Sequence, residues 1–294
     1  MSDYLKLIRF KHYIKNILIY SALVFSGQLL GFDKLRDCTI GFFAFCLISS
    51  VVYIINDIKD KDKDRIHPQK CNRPIAKGSI PVKTAVIIAA IFLVLAVICF
   101  TFVFDVFAMS LLIAYVGINI GYSFGLKNIP LVDVSLLVAG FLIRVLYGAA
   151  ITNIRVSSWL YLTVIALAFF MAFGKRRNEF KLSGSDNTRI VLKGYSISFL
   201  DKSMYMCLTM SNTFYSLWAL SNSGTDNHNP KILTVPVVLL ITLKYSMNIE
   251  KETSDGDPTE VLFHDKVLIL LCLIYAVMML SILYLDKFQA FLGF

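Results

Sequence analysis

Charge is scarce in this chain. Lys, Arg, Asp and Glu make up 17% of its 294 residues, where a soluble domain carries about a quarter. That shortage excludes a disordered chain and an ordinary cytosolic enzyme. Paired cysteines are missing as well. The six cysteines (Cys38, Cys46, Cys71, Cys99, Cys207, Cys272) are scattered and form no C-x-x-C pair. Most lie in apolar runs, where cysteine behaves as a small hydrophobe, so neither a disulfide framework nor a zinc site is expected. Period-two alternation, the mark of a membrane barrel, is absent from the apolar runs. The first apolar run, after Tyr13, lacks a small-residue cleavage site and reads as a retained span.

Apolar residues fill the space that charge leaves. They reach 57% of the chain, and mean hydropathy is +0.68. A membrane-spanning helix needs about 20 mostly apolar residues, and a backbone in lipid must satisfy its own hydrogen bonds. The expected fold is therefore all-α and polytopic. Nine spans are expected near residues 14–30, 39–55, 81–103, 106–124, 131–151, 158–174, 199–221, 232–247 and 267–285. They leave no separate soluble domain, so 1–294 reads as one integral-membrane unit.

The net charge of +9 would suggest nucleic acid in a soluble protein. Here it sorts by side of the membrane. Lys6, Arg9 and Lys11 precede the first span, and eight cations from Lys59 to Lys83 fill the second connection. Lys127 lies in the fourth, and Lys175, Arg176, Arg177, Lys181, Arg189 and Lys193 lie in the sixth. The odd connections carry only Lys34, Arg36, Arg155 and Lys231. The positive-inside rule then places the N-terminus and the even connections in the cytoplasm, with the C-terminus outside. No nucleic-acid partner is implied. Two long cytoplasmic connections follow, about 56–79 and about 175–198.

The segment Asn56-Asp57-Ile58-Lys59-Asp60-Lys61-Asp62-Lys63-Asp64-Arg65 directly follows an apolar span. At 100° per residue, with Asp57 at zero, Asp60 falls near about 300°, Asp64 near about 340° and Asn56 near about 260°. Asp62 falls near about 140°, on the other side. Three carboxylates on one face repel unless a cation joins them. Hard oxygen ligands suit magnesium, which characteristically bridges to substrate phosphates. The face thus predicts a magnesium–diphosphate site on Asp57, Asp60 and Asp64, with Asn56 beside it. An EF-hand calcium loop fails on spacing, because Arg65 and Cys71 stand where Gly and Glu are required. A solvated helix end of mixed charge is the competing account of the Lys/Asp alternation.

The next stretch, from His67 to Gly78, interleaves Pro68, Pro74 and Gly78 with Lys70, Arg73 and Lys77. Such a loop can hold those three cations over a polyanion. His67 reads as a loop hydrogen-bonder. Arg144 lies deep in a predicted span, where a charge by default marks a functional interior or a structural tie to backbone carbonyls. Asp133, about three turns earlier, shares nearly the same face nearer the cytoplasmic mouth. Tyr122 and Lys127 sit at the cytoplasmic end of the preceding span. Lys175, Arg176 and Arg177 end the sixth, with Glu179 one turn after Lys175. Topology accounts for part of that basic cluster, and substrate phosphate is expected to bind at least one of its cations. Residues 250–265 read as a solvated connection with no site.

Together these segments resemble the UbiA superfamily of intramembrane transferases. Asn56, Asp57, Asp60 and Asp64 match its N-D-x-x-D-x-x-x-D motif in full. The likeness is nearest to one branch, the decaprenyl-phosphate phosphoribosyltransferases of bacterial cell-wall arabinan synthesis. It rests on the run from His67 to Gly78, on Tyr122-Ser123 with Leu126-Lys127, and on Asp133-Val134, Gly140-Phe141, Arg144 and Gly148-Ala149. Phe173 to Arg177 with Glu179 completes it, so the resemblance runs to about Lys193. One departure stands out. Prenyl-diphosphate-using members carry a second acidic cluster, often D-x-x-x-D, and here Leu137 follows Asp133 at that spacing.

The resemblance implies a nine-helix bundle in the bacterial cytoplasmic membrane with a cytoplasmic active site. It implies magnesium as cofactor, with manganese as a substitute. The implied donor is phosphoribosyl pyrophosphate and the acceptor a polyprenyl phosphate of the decaprenyl type. Transfer of 5-phosphoribose would release diphosphate. In this scheme Asp57, Asp60 and Asp64 hold the metal, and Asn56 positions its water or the donor. Lys70, Arg73, Lys77 and Lys175–Arg177 bind donor phosphates, while Tyr122, Lys127, Asp133 and Arg144 line the mouth and the acceptor path. Two rivals remain. A prenyltransferase acting on an aromatic or haem acceptor would want the missing second acidic cluster. A secondary transporter of an anionic solute could use Arg144, but would place its distinctive residues at mid-membrane, whereas here they cluster at cytoplasmic span ends.

Overall fold

The computed structural model describes residues 2–66, 70–182, 190–221, 229–251 and 265–292. His67, Pro68 and Arg189 from the sequence reading lie outside them. Helices make up the ordered elements, in line with the all-α expectation. In chain order they are α1 (Asp3–Leu7), α2 (Ser21–Phe25), α3 (Phe32–Lys59), α4 (Lys61–Arg65), α5 (Pro74–Lys77) and α6 (Val82–Thr101). They continue as α7 (Val106–Ser123), α8 (Val132–Ile151), α9 (Ser158–Leu182), α10 (Ile197–Leu220), α11 (Val235–Ile249) and α12 (Lys266–Leu292). Short 3-10 helices join several of them. The longest, Phe10–Tyr20, stands between α1 and α2.

Among the described residues, seven helices are long and apolar enough to cross a membrane. They correspond to seven of the nine expected spans. The other two differ for separate reasons. Residues 14–30 are expected to form a uniform helix, but the 3-10 helix and α2 take up most of this stretch. α10 has the length, yet Ser203, Thr209, Ser211, Asn212, Thr213 and Ser216 dilute its apolar character. The expected sixth connection also starts later than Lys175, because α9 continues through Leu182. Lys and Arg are good helix formers, and Arg176 pairs with Glu179 along the helix.

Packing resolves the chain into two compact units. One comprises residues 1–126 with 143–155, the other 127–142 with 156–294. α8 lends its first half to the second and its later half to the first.

In the first unit, α3 is the central element and packs against α6, α7 and the 3-10 helix. A 3-10 helix repeats every three residues, so Tyr13, Asn16 and Ile19 recur on one side. Tyr13 meets Ser50 at 2.8 Å. Asn16 donates to Cys46 Sγ at 3.1 Å and to Ser49 Oγ at 3.4 Å. Gly148 of α8 lies directly on the backbone of Ile19: a Cβ there would stand 1.8 Å from the Ile19 carbonyl oxygen. Since backbone would have to move, Gly148→Ala is expected to cost about 3 kcal/mol, read as a lowered thermal unfolding temperature in detergent.

A small core also forms where the sequence suggests a loop. Leu7 of α1, Ile54 of α3, Ile75 of α5, Ile80 in the turn before α6, and Ala85 of α6 are all buried together. Thus much of the connection 56–79 is a folded cap rather than an open loop. In the second unit, α9 and α10 pack along their lengths, and Phe170, Phe173, Leu200, Met204 and Ile249 are central to the core.

Candidate active site

The acidic segment does not continue α3 unbroken. α3 stops at Lys59, Asp60 turns with φ −89° and ψ 5°, and α4 starts at Lys61. Helical hydrogen bonds nonetheless carry across the break, from the Asp60 amide to Asn56 O (2.9 Å) and from the Asp64 amide to Asp60 O (2.8 Å). Asp57 and Asp64 stay on one side across the break, where Arg73 joins them. Asp57 and Asp64 turn inward, at 2% and 4% exposure, while Asp62 points to solvent beside Arg65, at 3.7 Å. Asp60 is half-buried.

Arg73 closes the face. Its Nη1 lies 3.1 Å from Asp57 Oδ1 and 2.7 Å from Asp64 Oδ2. Local sequence puts it there. Pro74 starts α5 and forces Arg73 into extended backbone (φ −65°, ψ 140°), and Gly78 ends that helix at φ +83°. Arg65 Nε ties α4 to α5 through Ala76 O at 3.2 Å.

A second guanidinium comes from Arg9, whose Nη2 lies 2.6 Å from Asp57 Oδ1. The sequence offered it only as topological charge. Its placement depends on a left-handed backbone, φ 53° and ψ 47°, which non-glycine residues seldom adopt. The Tyr53 ring supports it, with Arg9 Cζ 4.6 Å from the centroid.

Asn56 is engaged by Ser123, whose hydroxyl donates to its side-chain oxygen in a short contact. Lys59 reinforces that tie, donating to Ser123 O at 3.0 Å over the Phe124 ring. Lys70 is half-buried in a 3-10 turn, Lys77 is exposed at the end of α5, and Tyr122 is half-buried in the last turn of α7. Arg144 is 6% exposed in the interior of this unit. Its Nε donates to Asn16 Oδ1 at 2.7 Å and its Nη2 to Tyr115 OH at 3.4 Å. Its Cζ lies 5.1 Å from both the Phe45 and the Tyr115 ring centres.

Among the described residues, no group of three or more His, Cys, Asp and Glu side chains stands together as a metal cage. Magnesium does not require one. It is held by one or two carboxylates, with waters and substrate phosphates completing its shell. Two buried carboxylates that share one guanidinium nitrogen fit that requirement.

The second unit arranges its charges inward. Asp133 is fully buried and Arg176 is 1% exposed. Arg176 Nε donates to Asp133 Oδ2 at 2.5 Å, and its Nη1 to Glu179 Oε2 at 2.7 Å. Tyr195 donates to Asp133 Oδ1 at 2.7 Å and accepts from the Leu131 amide at 2.6 Å. Leu131 has φ +66°, so this tyrosine secures a strained turn at the start of α8. Burial pushes the Tyr195 hydroxyl up to about 12, and the Asp133 carboxylate adds to that, so it stays a donor at neutral pH.

Arg177 is also buried. It donates to Asp201 in a short contact and lies 3.7 Å from Glu250, which also takes the Tyr205 hydroxyl. Two of the three expected phosphate cations thus meet carboxylates of their own unit, and Lys175 and Lys127 remain half-buried. Tyr195, Asp201 and Glu250 were missed as functional partners because 24 to 73 residues separate them from the arginines and Asp133. The segment read as a siteless connection supplies Glu250, and also Asp265, which takes the Leu268 amide and Lys244.

Comparison with known proteins agrees with this architecture. Decaprenyl-phosphate phosphoribosyltransferase of Corynebacterium glutamicum is 33% identical over 291 residues, covering 96% of this chain and 86% of the relative. The protein of the same name from Mycolicibacterium smegmatis is 30% identical over 288 residues, covering 93% and 90%. A UbiA homolog from Archaeoglobus fulgidus, solved bound to DMAPP and Mg2+, superposes with a TM-score of 0.69 over 95% of this chain and 96% of that one, at 19% identity. The model of the UbiA prenyltransferase family matches residues 18–267. The chain is therefore a multi-pass membrane transferase belonging to the UbiA prenyltransferase family.

Proposed function

We propose that this protein transfers 5-phosphoribose from phosphoribosyl pyrophosphate to a polyprenyl phosphate of the decaprenyl type. The observation that carries the proposal is the face of Asp57 and Asp64 bound by Arg73 and Arg9. It offers buried carboxylates for a hard cation and guanidinium forks for a diphosphate in one place. The names of the two bacterial relatives support this choice of donor and acceptor. So does Leu137, which stands where a second acidic cluster would serve a prenyl diphosphate.

Magnesium held by Asp57 and Asp64, with Asp60 beside them, would supply charge neutralisation for the leaving diphosphate; manganese would substitute. Arg73, Arg9, Lys70 and Lys77 bind its oxygens. Asn56, fixed by Ser123, positions the face. Lys127, Tyr122, Lys175 and Arg144 are assigned to phosphate recognition along the donor and acceptor paths. Asp133, Arg176 and Arg177 hold the start of α8 and the last turns of α9, beside Lys127 and Lys175. An acceptor phosphate oxygen attacks the ribose C1, and the C1–O bond to diphosphate breaks as diphosphate leaves with the electron pair. C1 inverts. The nucleophile is already anionic, so no general base is needed, and rate comes from positioning and charge stabilisation. We place nine spans in a bacterial cytoplasmic membrane, with the N-terminus inside and the C-terminus outside, from the distribution of Lys and Arg.

The test uses purified protein in detergent with magnesium, phosphoribosyl pyrophosphate and decaprenyl phosphate. Mass spectrometry should find the polyprenyl-phosphoryl-5-phosphoribose, and a chelator should abolish it. Transfer from a prenyl diphosphate to an aromatic acceptor, without the ribosylated lipid, would overturn the choice of donor.

A further inference from the structure

We propose that Arg73 is an exchange residue. In the substrate-free protein it is the counter-charge that joins Asp57 to Asp64, and it passes to the diphosphate when metal and donor arrive together. This deepens the transferase assignment and depends on it for the two ligands.

Three observations lead here. First, one nitrogen serves both acids, at 3.1 and 2.7 Å. Asp57 and Asp64 are almost fully buried, where an unpaired charge is costly and a paired one is compensated. Second, the two arginines are held differently. Arg9 is fixed by its own left-handed backbone and by the Tyr53 ring. Arg73 reaches the face from an extended residue between a 3-10 turn and α5, with 28% of its side chain exposed. Arg9 is 20% exposed, so what separates the two is the left-handed backbone and the ring that hold Arg9. Third, the charges nearly balance. Asp57, Asp64 and the neighbouring Asp60 stand against Arg9 and Arg73, so a divalent cation alone would leave the face net positive. A cation that brings a diphosphate delivers an anion for the released guanidinium, whose planar fork matches phosphate oxygens. Arg73 thereby makes metal binding conditional on donor binding.

Manganese is the probe, with the free ion measured by electron paramagnetic resonance on the full chain in detergent, in phosphate-free buffer. Wild-type protein should bind manganese weakly by itself and more tightly once inorganic diphosphate is added. Arg73→Gln should bind manganese alone about tenfold more tightly than wild type, the scale of a charged hydrogen bond released. It should gain less from diphosphate. Arg73→Lys, which keeps the charge without the fork, should fall between them and covers the case of a glutamine variant that does not fold. Adding Asp57→Asn to Arg73→Gln should remove the gain and so locate it at this face. If neither Arg73 variant binds manganese alone more tightly, while wild type binds it with diphosphate, the exchange is wrong and the transferase assignment stands. If no protein binds manganese even with diphosphate, both fall.

Discussion

Asp57→Asn should reduce product formation by about a thousandfold or more, the range seen when preorganised charge is removed from a reacting centre. The neighbouring Asp62→Asn should leave the rate within about twofold of wild type, because exposed substitutions away from such features have small effects. The contrast is the informative part. Both are aspartates in one acidic segment, yet Asp57 is 2% exposed between two guanidiniums and Asp62 projects into solvent. Initial rates of ribosylated lipid formation, beside thermal unfolding of each variant, separate chemistry from folding. Asp57→Asn with full turnover would remove this face from catalysis. Equal loss in both variants would point to bulk acidity of the segment instead.

Asp133→Leu should destabilise the protein by about 3–5 kcal/mol, the cost of leaving a buried charge with part of its compensation gone. Arg176 would keep Glu179, which is 20% exposed, and lose the fully buried partner. Tyr195 would lose its acceptor, and its hold on the Leu131 amide would lose that support. The double variant Asp133→Leu with Arg176→Met should recover a large share of the loss, since a well-packed apolar pair often matches a buried ion pair. A cycle of single and double variants in detergent reads the coupling directly. An unchanged melting temperature in Asp133→Leu would show that the pair contributes nothing to holding α8 and α9.

The sequence made the acidic face legible because its signal is local. Spacing of three and four residues carried Asp57 and Asp64 to one side even across the break at Asp60. Pro74 and Gly78 announced a rigid turn beside Arg73. The spans were legible wherever apolar residues dominate, and least so in α10, where hydroxyl and amide side chains enter the helix. What stayed hidden depends on distant partners or unusual backbone. Arg9 reaches Asp57 only because it adopts a conformation that its residue type disfavours. Arg176 and Arg177 look like topological charge until Tyr195, Asp201 and Glu250 come into view, and none of these is near in the chain. Hydropathy also could not foresee that α1, α5 and the start of α6 would build a small core around the connection 56–79.

The first apolar segment draws length from its helix type. Residues of a 3-10 helix rise about 2.0 Å each, against about 1.5 Å in an α-helix. The eleven residues Phe10–Tyr20 therefore extend about 22 Å, and with the five of α2 the contour comes to about 30 Å. An α-helix of the same sixteen residues would extend about 24 Å. Reach here comes from hydrogen-bond register rather than residue count.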